Sequence, residues 1–133
     1  MILVDSSVWI EFFRPQRSIH QAYLSELIPL PEAIGVAGPV LQEVLQGIRD
    51  DEAFRRVAES LCRFPVVHPD TETYVTAARL YRTLTIKRLA VPPGDLTIAA
   101  LAIQHGVELY TLDLRHVERV RAHSALRLHR PPR

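Results

Sequence analysis

The segment DLTIAALAIQHG, residues 95–106, constrains this chain more than any other. It reads as a helix that is apolar almost all round, and such a helix has to be covered on every side. Asp95 stands at its start, where a carboxylate can accept orphan backbone N–H groups, and Gly106 stands at its end. Its longest apolar run, LTIAALAI, is far shorter than the roughly 20 residues that span a membrane. The spacing therefore predicts a central helix buried within a globular protein.

Around that helix the pattern alternates. Residues 2–5 read as a strand, 7–13 as a short helix, and 18–28 as a second helix with Ile19, Tyr23 and Leu27 at fourth-residue spacing. AIGVAG reads as a strand, and a helix follows from Pro39, a residue suited to the first helical position. Residues 50–62 form a helix, FPVVH a strand, 70–88 a long helix and VELYTLD a strand. A short helix over 114–121 and a last strand over 126–128 complete the order. Loops are marked by RPQRS, PLPEA, GVAGP, FPVVHPD and AVPPGD. Repeated strand–helix units with short loops predict an α/β fold with a mostly parallel sheet and helices on both faces. With 133 residues and no linker or repeat, the expectation is a single domain over 1–133.

Composition narrows the setting. One cysteine, Cys62, cannot form an internal disulfide, and its helical surroundings predict buried packing. The opening apolar run stops at Asp5 without a basic leader, so a soluble, cytoplasmic protein with no membrane contact is expected. Net charge is +1, but residues 1–78 carry eleven acids and six bases, and residues 79–133 four acids and ten bases. A basic C-terminal portion is compatible with a nucleic-acid-facing end or with a solvated tail.

The parallel sheet gives the acids a meeting place. Right-handed crossovers put helix N-termini at the carboxyl edge of the strands, where ligands bind in such folds. Asp5 ends the first strand, Asp113 ends VELYTLD, and Asp95 opens the buried helix. Glu43 lies one turn into the helix begun by Pro39, beside Val40, within reach of the same edge. Taken singly, Asp95 also reads as a cap, Glu43 as a solvated face and Asp113 as a turn residue. Asp5 resists such a reading, because an acid between a core strand and a core helix is costly to bury without a partner. Two like charges about 4 Å apart repel by about 4 kcal/mol at an effective dielectric of 20. Either some of the acids stay protonated or a divalent cation neutralises them. Oxygen ligands suit Mg²⁺ or Mn²⁺ rather than zinc, as one ion or as two about 3.5–4 Å apart.

Other chemistries lack their motifs. The six histidines never stand at H-x-x-x-H spacing, and no G-x-S-x-G elbow, P-loop or dinucleotide fingerprint is present. Ser6 and Ser7 have no base nearby in sequence and read as caps or as hydrogen-bond partners of the acid. Tyr74 and Tyr81, with Ala78 between them, read as core or subunit packing rather than as base-stacking residues.

ILVDSSVWIEFF, EVLQG, VPPGDLTIAALAIQHG and LYTLD with a short helix after it resemble the PIN-domain ribonucleases, in particular the VapC-type toxins of toxin–antitoxin pairs. The resemblance spans nearly the whole chain and implies a PIN-like three-layer α/β/α fold. It implies an acidic quartet of Asp5, Glu43, Asp95 and Asp113, with Asp5 and Asp95 the main metal ligands. Glu43 and Asp113 would be further ligands, direct or through water, and would help to orient the attacking water. Ser6 and Thr111 would be supporting hydroxyls. The implied activity is Mg²⁺- or Mn²⁺-dependent endonucleolytic cleavage of RNA, with homodimerisation and inhibition by a cognate antitoxin. Many relatives carry a further acid and an aromatic after T-x-D, where this chain has Arg115 and His116. Arg115 is then expected to pair with Asp113 or to hold a phosphate, and Arg14, Arg115 and Arg119 are the candidate RNA contacts. The rival readings are a non-catalytic PIN-fold module that binds RNA or protein, and a signalling receiver domain. The receiver is disfavoured because serines follow Asp5 and the one lysine, Lys87, lies on a helix.

Overall fold

Asp5 is where the first strand becomes the first helix, and the fold is organised around that joint. The computed structural model describes residues 1–15, 18–30 and 32–132; the loop segments RPQRS and PLPEA each include residues outside these. In chain order the elements are β1 (Ile2–Val4), α1 (Ser6–Phe12), α2 (Ile19–Leu27), β2 (Ile34–Ala37), α3 (Gly38–Gln46) and α4 (Asp51–Leu61). They continue with β3 (Val66–Val67), α5 (Thr71–Ile86), α6 (Pro93–His105), β4 (Glu108–Tyr110) and α7 (Leu114–Ala122).

The four strands form one parallel sheet in the order β3-β2-β1-β4. Leu3 stands between Gly35 of β2 and Leu109 of β4, so β1 is a central strand with neighbours on both sides. The path runs outward from β1 through β2 to β3, then returns across the sheet to β4. Right-handed crossovers in opposite directions place their helices on opposite faces. The packing agrees: α1 contacts α2 and α3, and α3 contacts α4, while α5, α6 and α7 contact one another. This is the expected three-layer α/β/α arrangement. The reversal between β1 and β4 is a topological switch point, where a crevice opens at the carboxyl ends of the strands.

Each layer follows from local chemistry. In α6, Leu96, Ile98, Ala99, Ala100, Leu101 and Ala102 are all buried, and the three alanines let this helix lie close to its neighbours. Gly106 ends it in the left-handed conformation at φ 62°, which glycine adopts without the clash a side chain would cause. Ser18, Asp50 and Asp70 cap α2, α4 and α5 through their side chains. Trp9, 1% exposed, stacks on Phe13 and packs edge-on to Phe12 and tilted against Phe64, fixing α1 to the core.

Four expectations change. The helix over 95–106 starts two residues earlier, because Pro93 supplies a preset helical φ at its first position. The strand VELYTLD ends at Tyr110, three residues before Asp113. The strand over 126–128 reduces to a single parallel bridge, Leu109–Leu128, held by Leu109 N–H to the Arg127 carbonyl and His129 N–H to the Leu109 carbonyl. This segment is also tied down by side chains, with His129 between Tyr23 Oη (2.7 Å) and Glu108 Oε1 (3.1 Å). Cys62 is exposed rather than buried, since it caps the C-terminus of α4 after Val57 and Leu61 have taken the buried positions. Tyr74 and Tyr81 are about half exposed on α5, so they are not core residues of the chain. Among the described residues, no helix is long and apolar enough to cross a membrane.

Candidate active site

Three carboxylates line one small cleft at the carboxyl edge of the sheet: Asp5, Asp95 and Asp113, walled by Ile98, Leu109 and Val117. Each arrives by a different route. Asp5 leaves β1 directly, and its backbone N–H bonds the Tyr110 carbonyl at 2.8 Å, which extends the β1–β4 ladder to the acid itself. Asp95 projects from the first turn of α6. Asp113 precedes α7 in the turn that follows β4.

None of the three serves as a side-chain cap. Asp5 and Asp113 occupy the N-cap positions of α1 and α7, yet neither carboxylate accepts a cap bond, and the N-cap position of α6 is held by Pro92, with no side-chain cap. The capping reading of Asp95 therefore does not hold, whereas Asp113 does occupy the turn before α7.

Hydroxyls hold Asp5 in place. Thr111 Oγ1 donates to Asp5 Oδ2 at 2.8 Å, and Ser7 Oγ lies 3.2 Å from the same oxygen. Both hydroxyls are braced in turn: Leu112 N–H donates to Ser7 Oγ, and Asp113 N–H donates to Thr111 Oγ1. Thr111, 5% exposed, thus links Asp5 to the turn that carries Asp113. Ser6 points elsewhere and donates to Glu43 Oε2 at 3.1 Å, tying α1 to α3. The helix places consecutive residues about 100° apart, so Ser6 and Ser7 serve different acids. The sequence offers both serines as partners of the acid and the resemblance singles out Ser6 with Thr111; the structure gives the Asp5 contact to Ser7 and Thr111.

The basic side chain beside the cluster is that of His116, not Arg115. His116 Nδ1 lies 2.9 Å from Asp113 Oδ2 and 3.6 Å from Asp95 Oδ2. Arg115 is exposed and forms no ion pair among the described residues. Position explains the exchange, because residues three apart share a helix face whereas Asp113 and Arg115 do not. The spacing D-x-x-H at the start of a short helix is the signal that identifies His116. Arg14 pairs with Glu11 at 3.4 Å, and Arg119 donates to the Ala90 carbonyl beside an apolar cleft of about 570 Å³ that His116 also lines.

Charge crowding marks Asp95. Its pKa is pushed up to about 6, first by burial and then by the charges of Asp113 and Asp5, with Glu43 adding to the rise and His116 opposing it. An acid whose pKa is raised by folding holds a proton in the native state that the unfolded chain has released. Without metal, stability should therefore decline as pH rises from about 4 to about 6. Because the Asp95 side chain is 36% exposed, solvent screening reduces the effect to about 1 kcal/mol. In EDTA at pH 7.5, Asp95→Asn should melt a few degrees above the parent protein, about 3–5 °C. That gap should close at pH 4. Parallel melting curves for the two proteins across this range would contradict the assignment.

The PIN domain family matches residues 2–122. The chain is 31% identical to ribonuclease VapC11 of Mycobacterium tuberculosis, over 85% of this chain and 87% of that protein. It is 32% identical to ribonuclease VapC1 of Methanocaldococcus jannaschii, over 90% and 81%. Among solved structures, FitAcB from Neisseria gonorrhoeae superposes with a TM-score of 0.81 at 20% identity, covering 98% of each chain. DNA-bound VapBC from Salmonella typhimurium gives a TM-score of 0.81 at 22% identity over 96% of each chain. A parallel sheet in the order β3-β2-β1-β4, an acidic cleft at its switch point and a family match over almost the whole chain lead to one assignment: this chain belongs to the PIN-domain family, among the VapC proteins.

Proposed function

We propose that this chain is a divalent-metal-dependent endoribonuclease and the toxin of a toxin–antitoxin pair, held in check by a cognate antitoxin. The observation that carries the reading is the convergence of Asp5, Asp95 and Asp113 in one cleft at the switch point, with no capping bond to occupy them. The curated relatives are named ribonucleases, and VapC20 of Mycobacterium tuberculosis, a structural neighbour with a TM-score of 0.68, is described as a sarcin–ricin loop cleaving toxin. Solved neighbours include toxin–antitoxin complexes.

The donor set fits a hard divalent ion. Carboxylate oxygens dominate, and the chain's one thiol, Cys62, sits at the end of α4 among none of the cleft residues. Mg²⁺ or Mn²⁺ suits such a site. Asp5 and Asp95 are the main ligands on this reading, with Asp113 and Glu43 completing the set directly or through water. When bound, the ion polarises the scissile phosphodiester and activates water.

The protein's own task is to keep these groups in place. Thr111 and Ser7 fix one oxygen of Asp5 and leave the other for the cleft. Ser6 steadies Glu43, which is exposed and available to orient the attacking water. Arg14, Arg115 and Arg119 are proposed to meet the RNA backbone, with the basic C-terminal portion adding a favourable field. The exposed Tyr74, Val75, Tyr81 and Ile86 on α5 favour a homodimer formed through that helix.

The test is direct. The purified chain, freed of antitoxin, should cleave structured RNAs in Mg²⁺ or Mn²⁺, stop in EDTA and recover when the ion is restored. Cleavage undiminished by EDTA would overturn the mechanism.

A further inference from the structure

We infer that His116 is a direct nitrogen ligand of the divalent ion, so that this site discriminates in favour of first-row ions such as Mn²⁺ over Mg²⁺. The inference rests on the metal-dependent reading above and adds to it a ligand and a selectivity.

The geometry is that of a coordination shell. Asp95, Asp113 and His116 offer one donor atom each, all within 4.8 Å of one another. Donors held about 2.1 Å from an octahedral ion stand roughly 3 Å apart when adjacent. The imidazole Nδ1 is 2.9 Å from Asp113 and 3.6 Å from Asp95; the first contact is a hydrogen bond here, and an ion taking the Nδ1 lone pair would replace its proton.

The ring's other side faces an apolar cleft. His116 also lines the apolar cleft formed by Leu84, Leu89, Val91 and Leu96, and it is only 26% exposed. Its position on the first turn of α7 puts it on the face shared with Asp113. Arg115, the neighbouring residue, has no lone pair to offer.

Selectivity follows from donor chemistry. Mg²⁺ takes oxygen ligands almost exclusively, whereas imidazole is an ordinary ligand for first-row transition ions. One nitrogen among carboxylates therefore costs Mg²⁺ more than it costs Mn²⁺. An all-carboxylate version of the site would lack that bias.

Pulsed electron paramagnetic resonance of Mn²⁺ bound to the full chain reads the ligand directly. The wild type should show nitrogen hyperfine coupling from a coordinated imidazole. His116→Gln should lose the coupling and bind Mn²⁺ roughly tenfold more weakly or worse, with a smaller change for Mg²⁺. His116→Asp should keep Mn²⁺ without the nitrogen signal and shift preference toward Mg²⁺. Thermal melts confirm that both variants are folded. Mn²⁺ bound to the wild type without nitrogen coupling, or coupling that survives in His116→Gln, would overturn the inference and leave the ribonuclease reading intact. A wild type that binds no Mn²⁺ at millimolar concentration would overturn both.

Discussion

Replacing Asp5 with asparagine should cut RNA cleavage by about a thousandfold or more, because charge stabilisation by a metal contributes several kcal/mol and each 1.36 kcal/mol is tenfold in rate. The substitution keeps the volume of the side chain and an oxygen that can accept from Thr111 and Ser7, so the joint between β1 and α1 should survive. What is lost is the negative charge. The matching loss should appear in metal binding, and the metal-free protein should melt no lower than the parent, because one source of repulsion on Asp95 has gone. Single-turnover cleavage of a structured RNA, alongside melting curves in EDTA, checks both halves. A variant that keeps a tenth of the parent rate would remove Asp5 from the site.

Trp9→Ala should be the most damaging single change to the fold, at about 3–5 kcal/mol. That is a large share of the 5–15 kcal/mol that typically separates folded from unfolded domains. Trp9 is fully enclosed and touches Phe12, Phe13 and Phe64, so truncation opens a cavity that three rings would have to collapse into. Its indole Nε1 has no partner among the described residues. Trp9→Phe, which removes that unsatisfied N–H along with some volume, should therefore cost clearly less than the alanine change. The effect reaches the site, since α1 carries Ser6 and Ser7, which steady Glu43 and Asp5. Urea unfolding gives the numbers, and a loss below 1 kcal/mol for Trp9→Ala would refute the packing account.

These two residues show what kinds of information the chain carries openly. Asp5 was legible because an acid directly after Ile2-Leu3-Val4 conflicts with burial, and such a conflict points to function. The buried helix was legible because LTIAALAI admits no solvent face, and its stop at Gly106 follows from the left-handed turn there. The placement of Asp95 and Asp113 near Asp5 followed from topology rules alone, without any contact being visible.

Finer contacts were not legible. Ser6 and Ser7 are adjacent and alike, and only the rotation of α1 decides which one meets Asp5. Arg115 carries the fixed charge and drew the expectation, yet His116 lies on the face that turns toward Asp113. The last strand was expected from its apolar residues, but at the sheet edge it makes a single bridge beside Leu109. Cys62 was assigned to the core by residue type, while its place past the last buried turn of α4 leaves it in solvent.

By itself, the sequence determined the element order, the parallel sheet and the edge at which the acids gather, because burial patterns and crossover handedness act over whole elements. Only the tertiary structure decided which hydroxyl braces which carboxylate and which base approaches the cluster. Those choices depend on helix rotation and on side-chain distances of about 3 Å, the reach of a hydrogen bond, and periodicity along a chain cannot resolve them.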